Sequence, residues 1–432
     1  MSTRSNGSSA RRKVTYSLFE AHAERSGLRL VDDPGLLAVD AVYRALSVDE
    51  EWSDFQGRGF AWWGEDLMQH VWASEQVVSR GELITAVHAE TVILQDITSD
   101  HAQDLIASMG PFPTLNAFIF DPQERTLKMR ATVYVHEQNY EWLSKLFCLA
   151  AALQASEAQA KIDNGVAEIF GASPPAVVHP RSGRRRAADD MLYIGFDVAA
   201  AGRDPGRSYT VADLANAVGL LDGTDGTRFW TMAFVGTAAG EFVAVVAEEG
   251  EYVHDGNFGL QAENESFAAA IREAAEEHLV DASAFLRALW FKNKGTHSAS
   301  VAASGSGDGS GRTALVQVLL RDPHPVYGHG ALLRLDLPVF SDDGAGMRSL
   351  AAEMNRAESD TETWTGMHQL GRWCESPEGN LVHETFLPAY AKDETYLLNL
   401  MLSTAVLRVP WARRYLNERR LRGEGFKLHT QG

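Results

Sequence analysis

Leu127-Lys128-Met129-Arg130-Ala131-Thr132-Val133-Tyr134-Val135-His136 is the stretch from which the rest of this chain is best read. Met129, Ala131, Val133 and Val135 alternate with Lys128, Arg130, Thr132 and Tyr134, and a period of two belongs to a strand with one face buried and one wet. Then the period changes. From about Gln138 to Asp163, Leu143, Leu146, Phe147, Ala150 and Leu153 recur at three- and four-residue spacing in an Ala-rich stretch, which predicts a long helix. Strand followed by helix, each with one apolar face to bury, sets the element order against which the rest of the chain is read.

Outward from this pair the same logic extends. Upstream, Thr114 to Phe120 reads as a strand, joined to it by the turn Asp121-Pro122-Gln123-Glu124-Arg125. Thr98-Ser99-Asp100 caps a short helix continuing from His101 to Met109. Phe60 to Trp72 and Glu82 to Asp96 are strand-like, and helical pieces lie around Ser17 to Arg25 and Gly35 to Leu46.

Near the other end the order returns. Ala314 to Leu320 and Leu332 to Val339 read as strands, Ser341-Asp342-Asp343 as caps, and Met347, Leu350, Ala351 and Met354 as a helical stripe. Met367 to Cys374 and Leu381 to Ala389 form a hairpin around Pro377-Glu378-Gly379-Asn380, and Asp393 caps a last helix bearing Leu397, Leu400, Met401 and Ala405. Both regions therefore read β-β-α-β-β-α, tandem copies of one unit. A displacement of 255 residues sets Leu143 over Leu398, Leu146 over Met401, Phe147 over Leu402 and Ala150 over Ala405.

Composition supplies the boundaries. Residues 1–14 are a polar tail of disordered type, 15–172 the first unit, and 173–189 a linker stiffened by Pro174, Pro175 and Pro180 and extended by Arg181 and Arg184 to Arg186. Residues 190–297 form a less regular middle α+β unit, either a degenerate third copy or a different module. In it we expect a helix at Val211 to Leu221, strands at Arg228 to Gly236 and Glu241 to Glu248, and helices at Ser266 to His278 and Ala282 to Phe291. A Gly/Ser linker at 298–311 precedes the last unit, 312–425.

The whole chain of 432 residues carries 39 Lys and Arg against 58 Asp and Glu, a net charge of −19. That excess argues against a nucleic-acid backbone as the main partner. Two cysteines exclude a disulfide framework, and Leu146 to Leu153, the longest apolar run, is too short for a bilayer, so no membrane insertion is expected. The polar start has no apolar segment after it, which fits a cytoplasmic protein. The negative charge is an average. The tail, the Arg181 to Arg186 stretch and Arg408 to Lys427, where seven basic residues face Glu418 and Glu424, are basic. The last of these suits a helix C-terminus, with an acidic partner as the alternative.

The chemistry-bearing patterns are absent. His136-Glu137 and His383-Glu384 lack the second His of a helical zinc motif, and His324 and His329 have no third ligand at suitable spacing. Gly305 to Gly311 has no Lys-Ser or Lys-Thr after it, and Gly256-Asn257-Phe258-Gly259 lacks a third glycine. No Gly-x-Ser-x-Gly elbow occurs, and Cys148 sits among Leu and Ala, where a thiol acts as a small hydrophobe. No catalytic, cofactor-binding or metal-binding residue is assigned. Trp62, Trp63 and Trp72, with Trp364 and Trp373, are crowded. Core packing explains such clusters, and an exposed face gripping a partner is the alternative.

Several short motifs point to a family. They are Leu115-Asn116-Ala117-Phe118 through Asp121-Pro122, and Thr132-Val133-Tyr134-Val135, in the first unit. In the last they are Gly328-His329-Gly330, Leu335-Asp336-Leu337-Pro338, Met354-Asn355-Arg356-Ala357-Glu358, Gly371-Arg372-Trp373 and Phe386-Leu387-Pro388. With the element order, they give a chain that resembles the superfamily of type III secretion chaperones and YbjN-like proteins, above all its multi-copy actinobacterial members. The resemblance implies an α+β fold whose sheet and helices bind peptides or unfolded client segments, often as a dimer. The expectation is thus a non-enzymatic chaperone-like or adaptor protein without cofactor, binding a protein or peptide client. The resemblance carries over no site residues, and Trp62, Trp72, Tyr134 and Trp373 are the candidate partner-binding set read from the residues themselves. The alternatives are an enzyme or small-ligand sensor with its site in a cleft between units, and a structural scaffold that forms homo-oligomers.

Overall fold

The computed structural model describes residues 17–180 apart from short gaps, strands between 228 and 319, His324, residues 330–388 apart from short gaps, helical positions between 401 and 419, and 427–428. The tail, the arginine-rich stretch from 181, the helices expected at Val211 to Leu221 and Ser266 to His278, the Gly/Ser linker and Asp393 lie outside the described residues. Among the described residues, two large antiparallel sheets, a separate two-stranded pair and several helices make the fold mixed α+β.

The chain begins with α1 (Leu18–Arg25) and α2 (Pro34–Leu46). Each start is capped by a side-chain oxygen: Ser17 accepts from the Phe19 and Glu20 amides, and Asp33 from the Gly35 and Leu36 amides at 2.9 and 3.2 Å. Gly35 is needed there, because a Cβ at that point of α2 would run into the Thr85 side chain of the sheet below. Next come β1 (Ser53–Gln56), β2 (Gly59–Trp63), β3 (Met68–Ala73), β4 (Val77–Ser79) and β5 (Glu82–Leu94). The single strand expected over Phe60 to Trp72 is therefore two, reversed over residues 64–67, since both halves are apolar and only the turn between them separates them.

α3 (Ser99–Ser108), β6 (Ala117–Asp121), β7 (Thr126–Val135) and α4 (Tyr140–Asp163) lie close to the expected bounds, and the short α5 (Val166–Ile169), which the sequence reading does not anticipate, completes this region. The strand order is β1-β2-β3-β5-β7-β6, with β4 continuing the β3 side of β5. The sheet's inner face is built from Phe60, Trp62, Val71, Val87, Ala89, Ala131, Val133 and Val135. It packs against Leu36, Val39 and Val42 of α2 and Leu143, Leu146, Phe147, Ala150 and Leu153 of α4.

The second sheet holds β9 (Thr231–Gly236), β10 (Phe242–Val246), β12 (Ala284–Leu289), β13 (Thr313–Leu319), β14 (Gly330–Phe340), β15 (Arg372–Glu375) and β16 (Asn380–Pro388). β8 (Arg228–Phe229) and β11 (Gly250–Glu251) pair separately, and β17 (Lys427–Leu428) joins β14. Its order is β10-β9-β12-β13-β14-β16-β15. Two expectations meet a different arrangement here. Within the helix expected over Ala282 to Phe291, Ala284–Leu289 is a strand: a short apolar run fits either state, and the ladders to β9 and β13 on both sides decide it. Strands from the expected middle and last units also share this one sheet, so the Gly/Ser stretch connects neighbouring strands β12 and β13. α6 (Gly344–Glu358) and the helical residues Met401, Ala405, Ala412 and Leu416 supply buried side chains to the core over this sheet.

The two sheets meet at their β6 and β15 ends by a reciprocal exchange. Gln369, which precedes β15, pairs with Thr132 of β7 through two backbone bonds of 2.8 and 3.0 Å. Thr114, which precedes β6, accepts from the Phe386 amide of β16 at 3.4 Å. The buried cluster from Phe19 to Leu416 runs through both sheets.

Candidate functional site

The four residues expected to grip a partner have four different surroundings. Trp62 is 1% exposed and donates from Nε1 to Gln69 Oε1 at 2.7 Å, within a buried amide network reaching Gln154, Thr91 and Asn116. Trp373 is fully buried, donates from Nε1 to Glu358 at 2.7 Å, and packs edge-on against His383 and parallel to Trp411. These two are core residues and offer no surface to a partner. A large side chain with one donor fills the interior whenever that donor finds an acceptor, and both do.

Trp72 is half-buried on the outer face of the first sheet. Its ring lies between His70 and His88, with centroids at 4.5 and 4.8 Å, and Arg130 sits over it at 5.7 Å. Beside it the cross-strand pair Glu90–Arg130 closes through Arg130 Nε at 2.7 Å. Burial, then the charges of Arg130 and His70, hold His88 down to about 3, and burial lowers His70 against the pull of Glu90. Both rings are therefore neutral near pH 7, which suits stacking on an indole. His88 Nδ1 lies 3.0 Å from Thr132 Oγ1.

Tyr134 is buried and serves the base of a projecting arm. Its ring clusters with Ile84 and Ala86, and its amide donates to His368 Nδ1 at 3.1 Å. Beyond that anchor β4 and the start of β5 continue as a two-stranded ribbon. Val78 stands opposite Leu83 and Val77 opposite Ile84. Val78 is 74% exposed, Val77 50% and Leu83 49%. Val31, 75% exposed, lies next to this ribbon, because Gln76 Nε2 donates to the Asp32 carbonyl at 3.3 Å. Among the described residues no strand pairs with the outer edge of β4. An apolar edge left open is the feature that proteins usually blunt with charge or proline.

The chain matches no family model, no curated protein and no solved structure.

Other titratable groups among the described residues lie in packed surroundings. Burial pushes the Cys148 thiol up to about 12, and burial with neighbouring Glu384 does the same for Cys374. Arg408 and Glu358 form a buried ion pair at 2.6 Å, whose other bonds go to Trp373 and the carbonyls of His368 and Leu370. Where the sheets meet, Glu157 accepts from Thr114 Oγ1 at 2.6 Å and Asn116 Nδ2 at 3.4 Å. Burial raises its carboxyl to about 7, outweighing those donors and the charges of Arg372 and Lys161. Among the described residues no three His, Cys, Asp or Glu side chains converge as metal ligands; His324 is buried against Phe386, and His329 lies outside them. Among the same residues no helix is long and apolar enough to cross a membrane.

Sequence reasoning missed the arm. Its signal was present in Val77-Val78 and Leu83, but only burial distinguishes an exposed apolar pair from a core one.

Proposed function

We propose that this protein is a non-enzymatic adaptor of chaperone type that holds an extended segment of a protein client along the β4 edge of its arm. The observation that carries this reading is the open strand edge bearing exposed Val77 and Val78, with Leu83 and Val31 beside it. Such an edge offers unpaired backbone donors and acceptors with apolar side chains between them, the chemistry by which a strand is added from another chain. A ribbon of two strands is marginal alone, so it is suited to being completed by a third.

The same proposal includes kinship with type III secretion chaperones and YbjN-like proteins, and tandem units within one chain. Two features support it. The reciprocal contacts join Thr132 to Gln369 and Thr114 to Phe386, and Thr114 and Gln369, like Thr132 and Phe386, stand about 255 residues apart as matching positions of the two regions. The cross-strand pair Glu90–Arg130 of the first sheet also has a counterpart of opposite polarity in the second, Arg334–Glu384. Each half then gives the other what a second copy would give, so a homodimer is not required at that face. Two buried free thiols fit a reducing compartment such as the cytoplasm.

The experiment is quantitative capture of partners from the native cell with wild-type chain and with Val78→Lys/Leu83→Lys. A discrete partner retained by wild type and lost by the folded variant supports the reading; equal recovery by both overturns it.

A further inference from the structure

The stretch expected to be linker is, over its first residues, seated on the first sheet. Residues 173–180 read Ser-Pro-Pro-Ala-Val-Val-His-Pro, and the chain there, without helix or strand after a bridge at Ser173, crosses one end of the strands. At its start Ser173 exchanges two backbone bonds with Gln95, just beyond β5, at 2.8 and 3.2 Å. Midway, Trp63 donates from its indole Nε1 to the Val177 carbonyl at 3.3 Å. At its end His179 is 1% exposed, donates from Nε2 to the Ser53 carbonyl of edge strand β1 at 2.9 Å, and packs edge-on against Trp63 at 5.1 Å.

The manner of holding is that of a bound peptide. Pro174, Pro175 and Pro180 have no N–H to give to a ladder, so the backbone cannot pair as a regular strand. It is held instead by an indole donor on a carbonyl and one side chain in an aromatic socket, the way proline-rich segments dock on aromatic surfaces. Between the anchors Val177 and Val178 remain 40% and 41% exposed, so the sheet covers both valines only in part.

We propose that residues 173–180 are a displaceable ligand in cis. The track they fill, from Gln95 past Trp63 to Ser53, takes an extended, proline-flanked segment of a partner protein that presents a His to the Ser53 carbonyl and the Trp63 ring. This track is separate from the arm and stands or falls independently of it. A tethered segment has an effective concentration on the order of millimolar. A free segment of the same sequence therefore enters only when the cis anchor is weakened or when the partner binds elsewhere as well.

The test uses the full chain and a fluorescently labelled synthetic peptide copying residues 172–182, with binding read by anisotropy. His179→Ala removes the cis anchor and leaves Trp63 and the Ser53 carbonyl in place. The variant is expected to bind the peptide about tenfold or more tightly than wild type does, in line with removal of a millimolar competitor. A peptide whose own His is replaced by Ala is expected to lose that gain. Replacement of residues 174–180 by Gly and Ser at equal length is the second variant and is expected to behave like the first. Absence of binding to either folded variant, or equal binding of the His and Ala peptides, overturns the proposal. Unfolding of both variants also overturns it, since a part required for folding is not displaceable.

Discussion

Glu157→Gln should stabilise this protein more at pH 8 than at pH 5, and the size of the effect follows from its surroundings. The carboxyl is held at about 7 in the folded chain against an ordinary value of 4.5, because burial outweighs the Thr114 and Asn116 donors and the Arg372 and Lys161 charges. A group that binds its proton more tightly when folded gives most stability below its unfolded value. That contribution is lost as pH rises through the folded one. With 1.36 kcal/mol for each unit, the loss amounts to about 1 kcal/mol at pH 5 and about 3 kcal/mol at pH 8. Glutamine imitates the protonated form and keeps an acceptor for Thr114. It should therefore gain about 2 kcal/mol on wild type between those pH values.

His88 and His368, both lowered to about 3, work in the opposite direction. Their contribution is present above the unfolded value and falls away as pH drops, but it is common to both proteins and cancels in the difference. Thermal unfolding followed by circular dichroism at pH 5 and pH 8 is the assay. For a cooperative unit of 150–250 residues the differential shift is about 5 °C. A difference that does not change with pH, or that grows toward acid, would refute the assignment of Glu157 as a carboxyl kept protonated by burial.

Two further outcomes follow from the buried groups. Arg408→Met leaves Glu358 without its cation in the interior and should lower stability by about 3–5 kcal/mol, whereas the double change with Glu358→Gln should recover a large part of it. Denaturant melts of the single and double variants decide this, and equal destabilisation by both would contradict it. Cys148 and Cys374, with thiols pushed up to about 12, should resist a disulfide reagent at pH 8 in the folded chain and react at once in denaturant. Rapid labelling of the native protein would count against their burial.

What the sequence made legible was local. The alternation Met129, Ala131, Val133, Val135 and the stripe Leu143, Leu146, Phe147, Ala150 became β7 and α4 facing one another. Caps read from side-chain chemistry also reappear, with Thr98 Oγ1 accepting from the His101 amide at 3.3 Å. The failures share a physical cause. Ala284 to Leu289 carries the same apolar run as a buried helix, and only its neighbours β9 and β13 make it a strand. Trp62 and Trp373 were open to a surface reading until Gln69 and Glu358, placed by tertiary contacts, satisfied their indoles. The exchange between Thr132 and Gln369 and the strap over Trp63 join positions far apart in the chain, and no periodicity encodes such pairs.

The claim that the arm receives a client is tested most directly by a photo-crosslinking amino acid placed at position 78 in the living cell. The same probe at position 169, where Ile169 is 70% exposed but far along the chain from the arm, serves as the control. The arm reading predicts a discrete crosslinked protein from position 78 that is absent from position 169 and diminished by Leu83→Lys. Equal, diffuse labelling from both positions would contradict it.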